Sequence, residues 1–188
     1  MLAVLGPADE SEPPEELIFR DEIDGEPVQA IGSGAFADCY GLDGQLTLPE
    51  GLQAIEKRVF YNCDQLTGSL VIPEGVSDIG SNAFESCSSL TSLSLPESLE
   101  GIEDCVFQGC SGLTGQLAIP DGVTRIGAGA FADCSGFTGT PTIPYAIMAI
   151  GQRAFAGCTG LSGTVTINAE ADVSEDAFAD TQVTVVRQ

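Results

Sequence analysis

The stretch that decides the fold runs from Ile79 to Gly101 and reads IGSNAFESCSSLTSLSLPESLEG. Its first residue belongs to a series spaced by 24, 24, 23, 24, 24 and 23 residues: Ile31, Ile55, Ile79, Ile102, Ile126, Ile150 and Val173. A phenylalanine follows each member five positions later, and a cysteine follows three positions after the first six of these phenylalanines. Self-similarity at a period of about 20 to 50 residues is typical of solenoids. We therefore predict one elongated repeat domain.

Each copy of the repeat predicts a strand, a turn and a second short apolar segment. Leu70 and Ile72 alternate with outward positions, as in a half-buried strand. Pro73 should end the strand, because proline cannot donate a hydrogen bond to a ladder. A short helix-like turn should then bury Phe84. One unit cannot cover its own apolar face, so stacked neighbours must share a continuous core.

One copy lacks a residue that the others carry. A glycine precedes the strand in five copies, at Gly44, Gly68, Gly115, Gly139 and Gly163. The copy that contains Ser92 has no such glycine. Glycine at this point suits a bulge or tight corner. We expect its absence to change the local path slightly and to leave the core intact.

A known family shares this pattern. The motif L-x-G-x-L-x-I-P-x-G-V-x-x-I-G-x-x-A-F-x-x-C occupies Leu66–Cys87 and returns at Leu113–Cys134. It resembles the BspA-like, or treponemal-type, leucine-rich repeat over roughly residues 17–186. The resemblance implies a leucine-rich repeat solenoid, with a parallel β-sheet on one face and short helical or irregular turns on the other.

The same resemblance implies a function. Most members are surface or secreted proteins, and several are implicated in binding host matrix proteins. We therefore expect a non-catalytic protein-interaction module, part of a bacterial cell-surface or secreted protein that mediates adhesion to host matrix proteins or other cells. The alternative is a structural spacer or accessory domain of a larger surface protein.

The chain divides into a leader and one domain. We predict a flexible leader at 1–16 and a single solenoid at 17–188. Within the solenoid we expect a cap-like first rung at 17–30, six repeats at 31–172 and a partial repeat at 173–188. The apolar segment near Met1 is too short for a signal peptide. No apolar run approaches the ~18–20 residues of a membrane-spanning helix.

Composition excludes several classes of function. The net charge of −22, from 28 acidic against 6 basic residues, disfavours binding to nucleic acid and anionic lipid. The absence of histidine removes serine triads, cysteine–histidine pairs and most zinc sites. We therefore expect no enzyme, no cofactor and no metal. The acid excess favours solubility, and adaptation to divalent cations or high salt is the other interpretation.

The predicted sheet carries two outward columns of small, uncharged side chains. The first is Gln45, Ser69, Ser92, Gln116, Thr140 and Thr164; the second is Thr47, Val71, Ser94, Ala118, Thr142 and Thr166. Solenoids commonly bind partners on extended surfaces of this kind. We predict this face as the binding site for a protein or glycan, such as an extracellular matrix protein, on a monomeric chain. The alternative is that small residues only permit tight stacking.

A third column is acidic: Glu50, Glu74, Glu97 and Asp121 each follow the strand proline. Carboxylates stacked at the spacing of strands repel one another. A bound calcium ion would relieve this repulsion, and so would solvation and salt. We favour a solvated edge, because no ligand-spacing motif is present.

The six periodic cysteines are expected to form a reduced ladder in the core, since free cysteine behaves as a small buried apolar residue. Cys105 lies outside the ladder at a predicted surface position. It is either a reactive thiol or a harmless exposed one. Tyr40, Tyr61 and Phe137 are either exposed contact residues or a cover for the loop edge.

Overall fold

Residues 16–188, which the computed structural model describes, wind into a parallel β-solenoid of about seven turns. The predicted leader lies outside these residues except for Glu16, so the division into leader, cap and repeats stays a prediction. The strands are β1 (Glu16–Ile18), β2 (Glu22–Ile23), β3 (Glu26–Pro27), β4 (Ala30–Ile31), β5 (Gly44–Thr47), β6 (Ala54–Ile55), β7 (Leu66–Val71), β8 (Asp78–Ile79), β9 (Leu90–Ser94), β10 (Gly101–Ile102), β11 (Arg125–Ile126), β12 (Ala149–Ile150), β13 (Ser162–Ile167), β14 (Asp172–Val173) and β15 (Gln182–Arg187).

The longer strands form one face of the solenoid. Strands β1, β5, β7 and β9 pair in that order, and β13 pairs with β15 at the other end. Between these groups the strands are reduced to isolated parallel bridges, such as Ala118 with Thr142. A second face consists of two-residue strands in the orders β4-β6-β8 and β10-β11-β12-β14. A small antiparallel pair, β2 with β3, precedes the first of them.

The turns contain no helix anywhere in residues 16–188. Asn82 and Ser86 have φ of 62° and 64°, in the left-handed region, and two such positions recur in nearly every turn. Left-handed residues interrupt a right-handed helix. As a result, alternate N–H groups point to different partners: Ala83 donates to Gly80 O within the turn, whereas Phe84 donates to Val106 O in the next one. Of the two predicted forms, the irregular turn is the one observed.

The phenylalanines stack along the axis of the solenoid. Successive rings from Phe36 to Phe178 have centroids 4.8 to 5.7 Å apart and lie nearly parallel. Phe60, Phe84, Phe107, Phe131 and Phe155 are fully buried. No polar or charged side chain is buried in the described part of the chain. The predicted continuous apolar core is confirmed.

The missing glycine alters the sheet where expected. In the described part of the chain no backbone hydrogen bond joins β9, which follows the deletion, to residues 115–119, although β9 still pairs with β7 on its other side. Leu93 and Leu95, which follow the deletion, are only partly buried, whereas Leu70 and Ile72 in the preceding copy are fully buried. The predicted change of path is confirmed. The expectation of an intact core is wrong here, since both leucines are partly exposed.

Pro141 interrupts the long sheet. It stands where the neighbouring copies have Leu117 and Val165, and it has no N–H to donate. The Thr142 N–H still donates to Leu117 O. On the other side, no backbone hydrogen bond joins 140–143 to β13 within the part of the chain that the structure describes. The second face continues without a break there, since β12 pairs with both β11 and β14.

Candidate functional site: the outer face of the long sheet

The two predicted columns point outward from the long sheet. Eleven of the twelve residues are exposed, and Ser92 is partly exposed. We call this surface the sheet face. A third outward column, which the sequence analysis missed, completes it: Asp43, Thr67, Thr91, Thr114, Thr138 and Ser162. The polar residue that follows the leucine, or Phe137, at the start of each strand was the available signal.

Hydrogen bonds between rungs order several of these side chains. The Ser92 hydroxyl donates to Ser69 Oγ at 2.8 Å, and the Thr114 hydroxyl donates to Thr91 O at 2.9 Å. The Gln116 side-chain amide donates to Thr140 O at 2.9 Å. Each of these bonds joins adjacent rungs, so the sheet face presents short polar groups in fixed positions.

A shallow depression of about 450 Å³ lies at the N-terminal half of the sheet face. Gln45, Thr47, Ser69 and Val71 line its floor, and Glu74 lies at its rim. The Val71 side chain is 58% exposed. The depression therefore combines apolar contacts from Val71 and Pro73 with hydroxyl and amide groups, and the carboxylates of Glu50 and Glu74 also line it. It contains no arrangement of acid, base and nucleophile.

The acidic column lies at the edge of the sheet face. Glu50, Glu74, Glu97 and Asp121 are all exposed. Glu74 Oε2 accepts a hydrogen bond from the Glu97 N–H at 3.2 Å, so this carboxylate caps the backbone of the next rung. No group of three potential metal ligands occurs among residues 16–188. The solvated edge stays a prediction.

The repeat now identifies the family. The chain matches the BspA type leucine-rich repeat region in six copies, over residues 22–138 and 138–187. The chain belongs to the BspA-type leucine-rich repeat family. No curated protein sequence matches it significantly. Repeat solenoids of this type are typically interaction scaffolds. In residues 16–188 no helix is long and apolar enough to cross a membrane.

Several solved structures are similar to this BspA-type chain. The leucine-rich repeat protein TpLRR of T. pallidum has 29% identity and a TM-score of 0.72, over 81% of this chain and 72% of that one. A leucine-rich cell surface protein of Faecalibacterium prausnitzii has 27% identity and a TM-score of 0.53, over 84% of this chain and 49% of that one. A leucine-rich repeat protein of Eubacterium ventriosum, at 23% identity and a TM-score of 0.67, shares the fold over 84% and 41%. The chain thus spans less than half of the last two relatives.

The cysteines of this BspA-type repeat are free thiols. Five of the six ladder cysteines are buried, and Cys39 at the first rung is partly buried. Burial raises the pKa of the Cys63 and Cys110 thiols to about 12. Each buried thiol also donates to a phenylalanine carbonyl of the preceding rung, as Cys110 does to Phe84 O at 3.0 Å. The reduced ladder is what the structure contains.

Cys105 lies on the turns, partly buried, with φ of 56°. Partial burial, with Glu85 and Asp104 nearby, raises the pKa of its thiol. Since the thiolate is the reactive form, these surroundings disfavour reaction at neutral pH. A reactive role for Cys105 stays a prediction, and the environment favours the harmless alternative.

The three aromatic residues differ in exposure. Tyr40 is 63% exposed, and Tyr61 is partly buried. Phe137 is only 2% exposed and packs edge-on against Phe131. The exposed alternative is therefore wrong for Phe137, which occupies the leucine position at the start of its strand.

Proposed function

We propose that this BspA-type domain is a non-catalytic adhesion module of a bacterial cell-surface or secreted protein, and that its sheet face binds a host matrix protein or another cell. Membership of the leucine-rich repeat family supports a general role as a protein-interaction module. The similarity to a protein described as a leucine-rich cell surface protein supports the location.

One observation carries the proposal: from its second rung onward the sheet face is neutral on a strongly acidic chain. Its three columns contain one charged side chain, Asp43 at the first rung, whereas the chain has a net charge of −22. The core of a protein interface is depleted of charged residues. A broad exposed surface without charge is therefore the part of this molecule that can be covered at the least desolvation cost.

The experiment measures binding of the purified domain to an array of matrix proteins, with and without calcium. The double variant Ser94→Glu and Thr142→Glu places two carboxylates on the sheet face, two rungs apart. Burying an unpaired charge at an interface is costly, so saturable binding should fall by at least about tenfold, or 1.4 kcal/mol.

A matched control carries the same added charge elsewhere. Gln53→Glu and Gln152→Glu are exposed and lie off the sheet face. This variant should bind like the unmodified domain. Equal losses in both variants would indicate a general charge effect and would contradict a binding site on the sheet face. Binding that requires calcium would instead indicate that the acidic column takes part in the binding site.

The second candidate function is a structural spacer, in which the stacked rungs separate other domains. The fully apolar core and the continuous stacking of phenylalanines favour it, since both suit a rigid rod. The spacer would be favoured if the domain bound no protein on the array. It would also require that the length of the domain set the distance between the neighbouring domains of the parent protein.

A further inference from the structure

The turns of the first two repeats carry residues that the fold does not require. Tyr40 occupies a position that holds Ser88, Ser111, Ser135 or Thr159 in four other repeats and Asp64 in the fifth. Tyr61 occupies one that holds Ala37, Ala132 or Ala156 in three other repeats and Glu85 or Gln108 in two. Those repeats build the same turn without a tyrosine at that position. The two tyrosines therefore need an explanation other than stability.

Both tyrosines are ordered although they are not buried. The Tyr40 hydroxyl donates to Asp38 Oδ1 at 3.2 Å, and the Asn62 amide donates to the same oxygen at 2.8 Å. The guanidinium of Arg58 lies over the Tyr61 ring, 4.1 Å from its centroid. We call these five residues the tyrosine patch. Binding to groups that are already ordered costs little conformational entropy.

The backbone beneath the tyrosine patch is fixed as well. Asp38, Arg58 and Asn62 have φ of 59°, 58° and 59°. The Asp38 N–H donates to Tyr61 O at 2.8 Å, which joins the two rungs that carry the tyrosines. The Asn62 N–H donates to Glu85 O in the following rung. The aromatic and polar groups thus project from a hydrogen-bonded base.

This combination of groups matches the chemistry of a sugar ring. The face of the exposed Tyr40 ring is electronegative and attracts polarised C–H groups, which one face of a pyranose supplies. Arg58 occupies one face of the Tyr61 ring, so Tyr61 contributes its edge and its remaining face. Carboxylate, amide and guanidinium groups beside the ring can accept from and donate to the sugar hydroxyls. We propose that the tyrosine patch binds a neutral saccharide, on a surface separate from the sheet face.

Other ligand classes fit the tyrosine patch less well. Peptide hot spots fill desolvated pockets, and none of the five residues lines the depression on the sheet face. Polyanions are disfavoured by the net charge and by the exposed Asp38 and Glu56 within the same turns. A neutral sugar needs neither a pocket nor a basic surface.

The test is isothermal titration of the domain with cellohexaose, laminarihexaose, maltohexaose and N-acetylchitohexaose. We expect at least one to bind with saturation. The variant Tyr40→Ser and Tyr61→Ala should weaken that binding by at least about tenfold, since each lost aromatic contact contributes roughly 0.5 to 1.5 kcal/mol. Other repeats carry these replacement residues, so the variant should keep its melting temperature.

Two controls separate this proposal from the adhesion function. Tyr145→Glu removes an exposed tyrosine at a position where Glu50, Glu74 and Glu97 occur in other repeats, and it should leave saccharide binding unchanged. The sheet-face variant Ser94→Glu with Thr142→Glu should also retain it. No binding by any of the four probes, or equal affinity in the tyrosine variant, would overturn the proposal. Loss only in the sheet-face variant would overturn it too and would place the sugar on the sheet face.

Discussion

At the scale of single residues, the ladder cysteines act as hydrogen-bond donors as well as small apolar side chains. Cys63, Cys87, Cys110, Cys134 and Cys158 each donate at 3.0 to 3.1 Å to the carbonyl of a phenylalanine in the preceding rung. That carbonyl also accepts the N–H of its own rung's cysteine. In the last copy Thr181 replaces the cysteine and its hydroxyl donates to Phe178 O. The cysteine position of the repeat therefore favours a small hydrogen-bond donor that can be buried.

The thiol ladder should make stability fall at alkaline pH. Burial raises the folded-state pKa of Cys110 from 9.0 to about 12. A raised pKa stabilises the fold below pH 9, and this contribution disappears as the pH rises from about 9 towards 12. At pH 10 the loss is about 1.4 kcal/mol for one such thiol. Denaturant unfolding under reducing conditions from pH 7 to 10.5 measures it.

The variant Cys110→Ala serves as the comparison. It should be less stable at pH 7, because it leaves a cavity and removes a donor. Its stability should then decline less steeply above pH 9 than that of the unmodified domain. Parallel pH profiles for the two proteins would contradict a buried, protonated Cys110.

The left-handed turn residues predict a second effect at this scale. Ser86 has φ of 64°, whereas Gly109 occupies the same position in the next copy with φ of 74°. A left-handed conformation costs a non-glycine residue roughly 1–2 kcal/mol, and glycine loses about 0.5–1 kcal/mol of backbone entropy. Ser86→Gly should therefore stabilise the domain by about 0.5–1 kcal/mol in urea unfolding.

The reverse exchange, Gly109→Ser, is the matched control. A Cβ at Gly109 would have its nearest contact at 3.5 Å, so there is room for it and only the backbone strain differs. This variant should lose stability by a similar amount. A gain from Gly109→Ser, or a loss from Ser86→Gly, would show that these turns are not strained.

At the scale of elements, the spacing of apolar residues predicted the stacked core and the outward columns, because burial alternates along a strand whatever surrounds it. Val71 points outward and Leu70 inward, as the alternation requires. The form of the turns could not be predicted, since it depends on hydrogen bonds such as Phe84 N–H to Val106 O, between residues far apart in sequence. The ordering of Tyr40 by Asp38 and Asn62 likewise joins two rungs.

The phenylalanine stack gives the element-scale prediction. Phe84 is fully buried, with parallel rings on both sides at 5.3 and 5.7 Å. Phe84→Ala should cost about 3–5 kcal/mol, the usual loss for a large buried side chain. Thermal melting monitored by circular dichroism measures the change.

Phe178→Ala provides the internal comparison. Phe178 is partly buried at the end of the stack, where Phe155 contacts it on one side at 4.8 Å. Its replacement should cost clearly less than that of Phe84. Equal costs at the two positions would mean that stacking from both sides contributes little.

At the scale of the whole molecule, charged side chains stay outside the apolar core. No charged residue is buried in residues 19–188, and most of the acids lie on edges and turns. The ion pair between Arg125 and Glu103 is the one salt bridge in the described part of the chain. Most of the 28 acidic residues therefore repel one another through solvent, and this repulsion opposes the compact state.

Salt should consequently stabilise the domain. Between about 0.01 and 0.15 M ionic strength the screening length falls from about 30 to about 8 Å. We expect the melting temperature to rise by several degrees, at about 2–4 °C for each kcal/mol in a domain of this size. Calcium chloride at matched ionic strength should give a similar rise, because the acids are expected to be solvated. A much larger rise with calcium would mean that the acidic column binds the ion.

Pro141 also determines how the solenoid would respond to tension, as on a protein anchored to a surface in flowing liquid. On the sheet side, the backbone ladder is absent between residues 140–143 and β13. On the other sides, the pairing of β12 with β14 and hydrogen bonds between the turns, such as Phe155 N–H to Ala177 O, still join the two parts. The sheet ladder is likewise absent between β9 and residues 115–119, apart from the bond from the Thr114 N–H to Thr91 O. Load along the axis would therefore concentrate at these two joints, which should yield before any fully bonded rung. The pieces between them would separate as units, and the joints could close again without refolding those pieces.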